Sequence, residues 1–260
     1  YDQFCLPVEE DGKNGLVFRH ANDTGTTDTR SVYVDGVDQA QIKFRDQASW
    51  GTWERDAYHV ATLTSGSHTI KLARDVSDSG FVNLDSLTLG TFDDDSVRLA
   101  NAAFAASGAT HIELGEGDQM LGHPYFPNRS KQMRNSLKTA MKDHYDFITA
   151  YENLLFAPDL VAGDGGAQWL SIAGETLSGD ATGGTIWATT KRNRDYDVVN
   201  LVNLVGNDSE WRNEAATPTT KTNLAVKYRL GPNVSVSGVY IASPDLDHGK
   251  TSSLAYTTGS

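Results

Sequence analysis

The sequence predicts a multidomain, β-rich chain: a jelly-roll-like β-sandwich module over residues 1–91, a helix–strand–helix unit over 92–158, and an antiparallel β-sandwich domain over 159–260. Three observations predict it. Short alternating apolar runs, separated by turn dipeptides, fill the first third. Apolar residues at helical spacing occur only between Thr91 and Pro158. Segments rich in β-branched and aromatic residues, punctuated by Gly, Asn, Asp and Pro, then return after Thr182. A chain of 260 residues with 38% hydrophobic content can form one large core or two to three small ones.

In the first region the runs are Leu16 to Arg19, Ser31 to Val34, Gln41 to Phe44, Tyr58 to Leu63, Thr69 to Leu72 and Val82 to Leu89. Asp35-Gly36, Ser65-Gly66 and Ser79-Gly80 mark turns between them, at the spacing of an antiparallel sandwich. Trp50 and Trp53, in SWGTW, either plug the core between two sheets or form a stacking surface for a sugar ring.

At Thr91 the composition changes. Asp93, Asp94 and Asp95 place acidic charge at a helix start, and Val97, Ala100 and Phe104 continue at helical spacing to Gly108, predicting a helix near 94–107. Thr110 to Leu114 then reads as a strand, with Ile112 and Leu114 apolar and Glu113 on the opposite face. It opens into a polar loop, Gly115 to Asn128, that carries Glu116, Asp118, His123 and Tyr125. A second helix is expected over 130–156, with Met133, Leu137, Met141 and Leu155 on one face and Pro158 beyond its end. A lone strand between two helices has no neighbours for its backbone groups. Either its partners precede Tyr1, making the chain the C-terminal portion of a larger protein, or it joins one of the β regions.

In the last region Thr185 to Thr189, Tyr196 to Val205, Thr222 to Leu230 and Val234 to Ile241 read as strands. The connection from Trp211 to Thr220, WRNEAATPTT, reads as solvated.

Composition excludes several classes of function. A net charge of -12 argues against nucleic acid, which is held by cationic side chains, and favours a neutral ligand such as a sugar. No apolar run is long enough to span a membrane. Cys5 is alone, so neither an internal disulfide nor a cysteine metal cluster forms. The 7 His residues show no HExxH or comparable spacing, and His111 and His144 read as core or surface residues.

Two resemblances follow from longer motifs. GLVFRHAN at 15–22, SVYVDG, SWGTW, LTSGSHTIKL and GFVNLDSLTL together resemble a family 35 carbohydrate-binding module over most of residues 6–90, without that family's first strand. The resemblance implies that Asn83 lies near a bound sugar, beside Trp50 and Trp53. It also implies that Asp85 serves a structural calcium, the alternative being a turn-stabilising carboxylate.

GDQMLGHPYFPNRSKQM, HYDFITAYENLL, DYDVVNLVNLVG and YIASPD resemble the C-terminal half of glycoside hydrolase family 66 over residue 92 to about 256. That family comprises dextranases and cycloisomaltooligosaccharide glucanotransferases acting on α-1,6-glucan. The resemblance implies that residues 92–158 are the last β/α portion of a (β/α)8 barrel, with THIELG as the final barrel strand. The order of module, helix, strand, helix and β domain is that of the cyclising enzymes. A secreted bacterial protein is implied, with α-1,6-glucan or isomaltooligosaccharides as partners and calcium as the sole expected cofactor. The family's catalytic Asp and Glu lie on earlier barrel strands, so no catalytic residue is expected in this chain. Glu116, Asp118, His123 and Tyr125 are the candidate substrate contacts; the two carboxylates are alternatively ordinary loop residues. Three classes of function remain open: a cyclodextran-forming transferase, an endo-dextranase, and a non-catalytic glucan-binding protein.

Overall fold

The computed structural model describes residues 1–123, 126–163, 166–208, 211, 214–232 and 234–259, the side chains of 123, 166 and 167 not among them. Two compact units emerge, Tyr1–Phe92 with Ile112–Lys138, and Asp93–His111 with Thr139–Ser260.

In the first unit seven strands form two antiparallel sheets: β1 (Asp2–Val8), β2 (Gly12–Ala21), β3 (Asp28–Val34), β4 (Val37–Phe44), β5 (Glu54–Leu63), β6 (Gly66–Ala73) and β7 (Asn83–Gly90). One sheet has the order β1-β6-β3-β4 and the other β5-β2-β7. The alternation seen in the sequence is the inside–outside pattern: Leu16 and Phe18 from β2 pack with Val32, Phe44 and Ile70 between the sheets, all fully buried. The rings of Phe18 and Phe44 meet edge to face at 6.3 Å. Five of the expected runs fall within β2 to β6, and the sixth, Val82 to Leu89, lies in β7 apart from Val82. The sequence reading did not single out β1, which holds Pro7 and sits at a sheet edge, where a missing N–H is tolerated.

The Asp35-Gly36 turn has both residues at positive φ (49° and 83°), as a two-residue hairpin turn requires. Next to it, His68 Nδ1 lies 2.7 Å from the Asp35 carboxylate, and its Nε2 lies 2.9 Å from the Thr64 carbonyl. Both ring nitrogens face acceptors, and only the imidazolium can donate to both. The bond to Asp35, then that to Thr64, raises the His68 pKa above its usual value. This clamp therefore contributes stability that is fully present below the unfolded histidine pKa and is lost as pH rises through the raised folded value. A surface pair of this kind is worth roughly 0.2–1 kcal/mol. Urea unfolding of the protein and His68→Ala at pH 5.5 and 8.5 is expected to show a stability difference that shrinks at the higher pH; a constant or growing difference contradicts the clamp.

The second unit opens with α1 (Asp94–Ser107), where the spacing predicts it. The carboxylate of Asp93 accepts the N–H of Ser96 at 2.6 Å, and Gly108 ends the helix at φ 76°. The segment before the next helix, within the first unit, departs from expectation. No strand forms over Thr110 to Leu114; Leu114 makes one isolated bridge to Met120. Ile112 and Leu114 are 85% and 43% exposed while Glu113 is 8% exposed, the reverse of a strand packed on its apolar face. The physical reason is the one a lone strand raises: among the described residues no parallel neighbour pairs with its backbone. A small hairpin, β8 (Leu121–His123) with β9 (Phe126–Pro127), occupies the loop instead.

The second helix, α2 (Asn135–Ala150), starts five positions later than the expected 130 and stops at Tyr151 (φ -115°, ψ 25°), before a single turn, α3 (Glu152–Leu155). The start is delayed because Gln132 is engaged with the first unit's sheet, forming a parallel bridge with Thr91. No closed barrel forms among the described residues.

The remaining strands are β10 (Val161–Ala162), β11 (Leu170–Ile172), β12 (Leu177–Ser178), β13 (Ile186–Arg192), β14 (Asp197–Asn203), β15 (Val226–Tyr228), β16 (Tyr240–Ile241) and β17 (Ser252–Ser253), with a helical turn, α4 (Gly166–Trp169), before β11. β10 and β14 pair with β13 antiparallel and β12 pairs with it in parallel, while β11 with β15 and β16 with β17 form separate two-stranded antiparallel sheets. α1 packs on β14 through Leu99, Ala106, Val202 and Leu204. Trp211 and Ala215 complete that core, so the Trp211 to Thr220 connection is anchored at these two residues, while Glu214, Ala216, Thr217, Thr219 and Thr220 are exposed, as a solvated connection requires. Lys191 of β13 is buried, which pushes its pKa down, and its Nζ donates to the carbonyls of Leu155 (2.7 Å) and Ala105 (3.4 Å). It thereby places a cation at the C-terminal ends of α3 and α1.

Candidate functional site

The loop after Glu113 turns through Gly115 to Gln119. The N–H of Gly115 donates to the Gln119 carbonyl at 2.9 Å, and Gly117 takes φ 61°. This turn leaves Glu116 exposed at its tip. Asp118 faces the other way. Its carboxylate lies between Lys13 Nζ (3.5 Å) on β2 and Lys138 Nζ (3.2 Å) on α2, and its carbonyl accepts the N–H of Met133 at 2.7 Å. With both lysines spent on it, Asp118 acts as an anchor for the loop. Glu116 is the loop carboxylate left open to a ligand.

His123 ends β8, paired across the hairpin with Phe126. Tyr125 lies outside the described residues. Phe126, which the sequence reading passed over inside the motif HPYFPN, is 60% exposed and adds an aromatic surface to the hairpin.

On the module, the outer face of the sheet β5-β2-β7 gathers three of the four candidates. The Arg19 guanidinium sits 5.1 Å over the ring of Trp53 and pairs with the Asp85 carboxylate at 2.8 Å. Asn83 precedes Asp85 by two positions on β7, so strand alternation puts both on one face, and both are exposed. Trp50, 38% exposed, stands in the Ser49–Thr52 turn apart from this chain of contacts. Arg19 was not named as a site residue, although alternation along β2 puts it opposite the core residue Phe18. The arrangement suits a neutral polyol: an indole, an amide and a guanidinium–carboxylate pair offer stacking, donors and acceptors on one surface.

The calcium expectation meets a different environment. The bond to Arg19, then that from Ser86, holds the Asp85 pKa below the usual carboxylate range. Calcium takes roughly six to eight oxygen ligands. No group of three or more His, Cys, Asp or Glu among the described residues is placed to share a cation. The described residues around Asp85 do not fit that ion. Nor is any helix among the described residues long and apolar enough to cross a membrane.

Known proteins match nearly the whole chain. A cycloisomaltooligosaccharide glucanotransferase from Niallia circulans is 53% identical over 256 residues, 98% of this chain and 26% of that protein. A dextranase from Streptococcus salivarius is 27% identical over 171 residues, 58% of this chain and 21% of that protein. The crystal structure of a Paenibacillus sp. cycloisomaltooligosaccharide glucanotransferase complexed with cycloisomaltoheptaose superimposes with a TM-score of 0.91 at 54% identity, covering 99% of this chain and 37% of that one. The chain thus spans about a quarter of the length of the Niallia relative. A family model described as glycosyl hydrolase family 66 matches residues 20–260, and with that match and those relatives the chain belongs to glycosyl hydrolase family 66.

Proposed function

We propose that the chain is part of a longer, secreted bacterial enzyme acting on α-1,6-glucan, a cycloisomaltooligosaccharide glucanotransferase, to which it contributes a glucan-binding module and a loop lining the glucan cleft. The observation that carries this reading is the 53% identity with such a transferase over 98% of the chain. An endo-dextranase of the same family is the second reading, favoured by the weaker Streptococcus similarity. In this proposal residues 1–91 are the binding module, 92–158 the last β/α portion of the barrel, and 159–260 the C-terminal β domain. Thr110 to Leu114 becomes a strand only beside barrel neighbours.

A retaining mechanism needs two carboxyl groups about 5 Å apart, one as nucleophile and one as general acid/base. Asp118 and Asp85 are unsuited to that pair. The Asp118 oxygens are engaged by two lysines, and Oδ2 of Asp85 by Arg19 and Ser86. The chain's own part is to bind and orient. One face of Trp53 is covered by Arg19, and its other face stacks on a glucose ring in this reading, with Asn83 bonding the ring hydroxyls. Glu116, His123, Tyr125 and Phe126 meet the glucan at the loop.

Calorimetric titration of the 260-residue chain with isomaltooligosaccharides tests the module. Trp53→Ala and Asn83→Ala are each expected to weaken binding about tenfold, close to 1.4 kcal/mol; unchanged affinity removes that residue from the site. Because Asp85 is paired with Arg19, a chelator is expected to leave the affinity unchanged. Loss of binding on chelation would return calcium to the module.

A further inference from the structure

The backbone leading from the loop into α2 is inset into the sandwich. Gly15 on β2 and Gly90 at the end of β7 are register partners on adjacent strands. A Cβ on either would lie 1.9 or 2.0 Å from the carbonyl oxygen of Ser130. Neither glycine has a positive φ, so what they supply is space and not conformational freedom. Into the notch they leave, the Ser130 backbone descends. The N–H of Gln132 then donates to the Gly90 carbonyl at 3.0 Å, and the Gln132 side chain is buried with it.

Two further grips hold the same segment. Lys13 on β2 reaches Asp118. The acidic turn between β1 and β2 closes on the start of α2: the Glu10 carboxylate accepts the N–H of Ser136 at 3.1 Å, Asn135 Nδ2 donates to the Asp11 carbonyl at 2.8 Å, and Glu9 pairs with Arg134. A helix start leaves backbone N–H groups without partners, and a carboxylate there supplies both an acceptor and a favourable charge. The bond from Ser136 lowers the Glu10 pKa accordingly. A module joined merely by a tether has no use for three grips on one segment.

We infer that Gly15 and Gly90 form a seat through which the sandwich fixes the loop-bearing segment 112–138, making them positioning residues for glucan transfer while belonging to no glucan site themselves. This rests on the proposal that the loop meets the glucan. In the 260-residue chain, Gly15→Ala and Gly90→Ala are expected to raise amide hydrogen exchange at Gln132 and Met133 by about tenfold or more, while Val32 and Leu72 in the sandwich core keep their protection. Gly179→Ala, where an added Cβ meets nothing within 4 Å, should change neither. Should a glycine variant fail to fold, Lys13→Met loosens Asp118 without touching the sheet and is expected to raise exchange at Met133. In the full-length enzyme, Gly90→Ala is expected to raise KM for isomaltooligosaccharides and lower the cyclic share of products, with the pH profile of kcat unmoved, since the catalytic pair lies elsewhere. Unchanged protection at Gln132 and Met133 overturns the seat. Released amides with wild-type KM and product ratio overturn the positioning role. In the latter case, impaired His123→Ala and Tyr125→Ala enzymes place the failure in this inference alone, and wild-type behaviour of both places it in the loop's contact with glucan.

Discussion

Trp211→Ala is expected to destabilise the second unit by roughly 3–5 kcal/mol, the range for truncating a large buried aromatic side chain. Trp211 is 5% exposed and packs with Leu99, Ala106, Val202 and Leu204, where α1 meets β14. Its backbone is also held: Ser96 Oγ donates to the Trp211 carbonyl at 3.0 Å and accepts the N–H of Ala215 at 2.8 Å. The substitution therefore opens a cavity against a backbone that Ser96 prevents from closing over it. Hydrogen exchange resolves the effect by unit. Amides of α1 and β14 should exchange faster, while those of β3 and β6 in the first unit should not. A solvated residue would cost within about 0.5 kcal/mol, so a loss below about 1 kcal/mol would mean that Trp211 does not hold this core together.

The burial of Trp211 shows where sequence patterns stop being informative. WRNEAATPTT is polar apart from Trp211 and its alanines, and no period of 2 or 3.6 runs through it. What buries Trp211 is a helix more than a hundred positions earlier in the chain. The sandwich was legible because each strand carries its own alternation and because Asp35-Gly36 needs positive φ at both positions. α1 was legible through its ends, with an aspartate before its first turn and Gly108 after its last. Thr110 to Leu114 has the local pattern of a strand, but a strand exists only with a neighbour, and among the described residues Leu114 finds a single bridge. The candidate site divides the same way. Exposure of Glu116 follows from its place at a glycine-rich turn. The engagement of Asp118 by Lys13 and Lys138, and of Asp85 by Arg19, depends on which strands and helices come together. Sequence spacing carries no trace of that.

The 260-residue chain alone is expected to show no turnover of dextran. Retaining transfer requires a nucleophile and an acid/base at fixed separation on a rigid scaffold, with the acid kept protonated until the bond breaks. The bond to Arg19 stabilises Asp85 in the charged form, which opposes proton donation, and Asp118 is tied up by two lysines as a loop anchor. The catalytic work then falls to the barrel strands that the family resemblance places earlier in the longer protein. In the proposed full-length enzyme the loop is expected to hold the glucan near the pair. His123→Ala and Tyr125→Ala in the full-length enzyme are each expected to lower kcat/KM by about tenfold or more, corresponding to roughly 1.4 kcal/mol or more of lost transition-state stabilisation. Neither should unfold the protein, because His123 sits on a two-strand hairpin at the loop and not in either sheet of the sandwich. The measurements are reducing-sugar release and product chromatography on dextran, beside a thermal melt of each variant. Turnover by the isolated chain would mean that it holds a catalytic pair of its own. Wild-type kinetics for both substitutions would mean that the hairpin lies outside the cleft, leaving the module as the part of this chain that touches glucan.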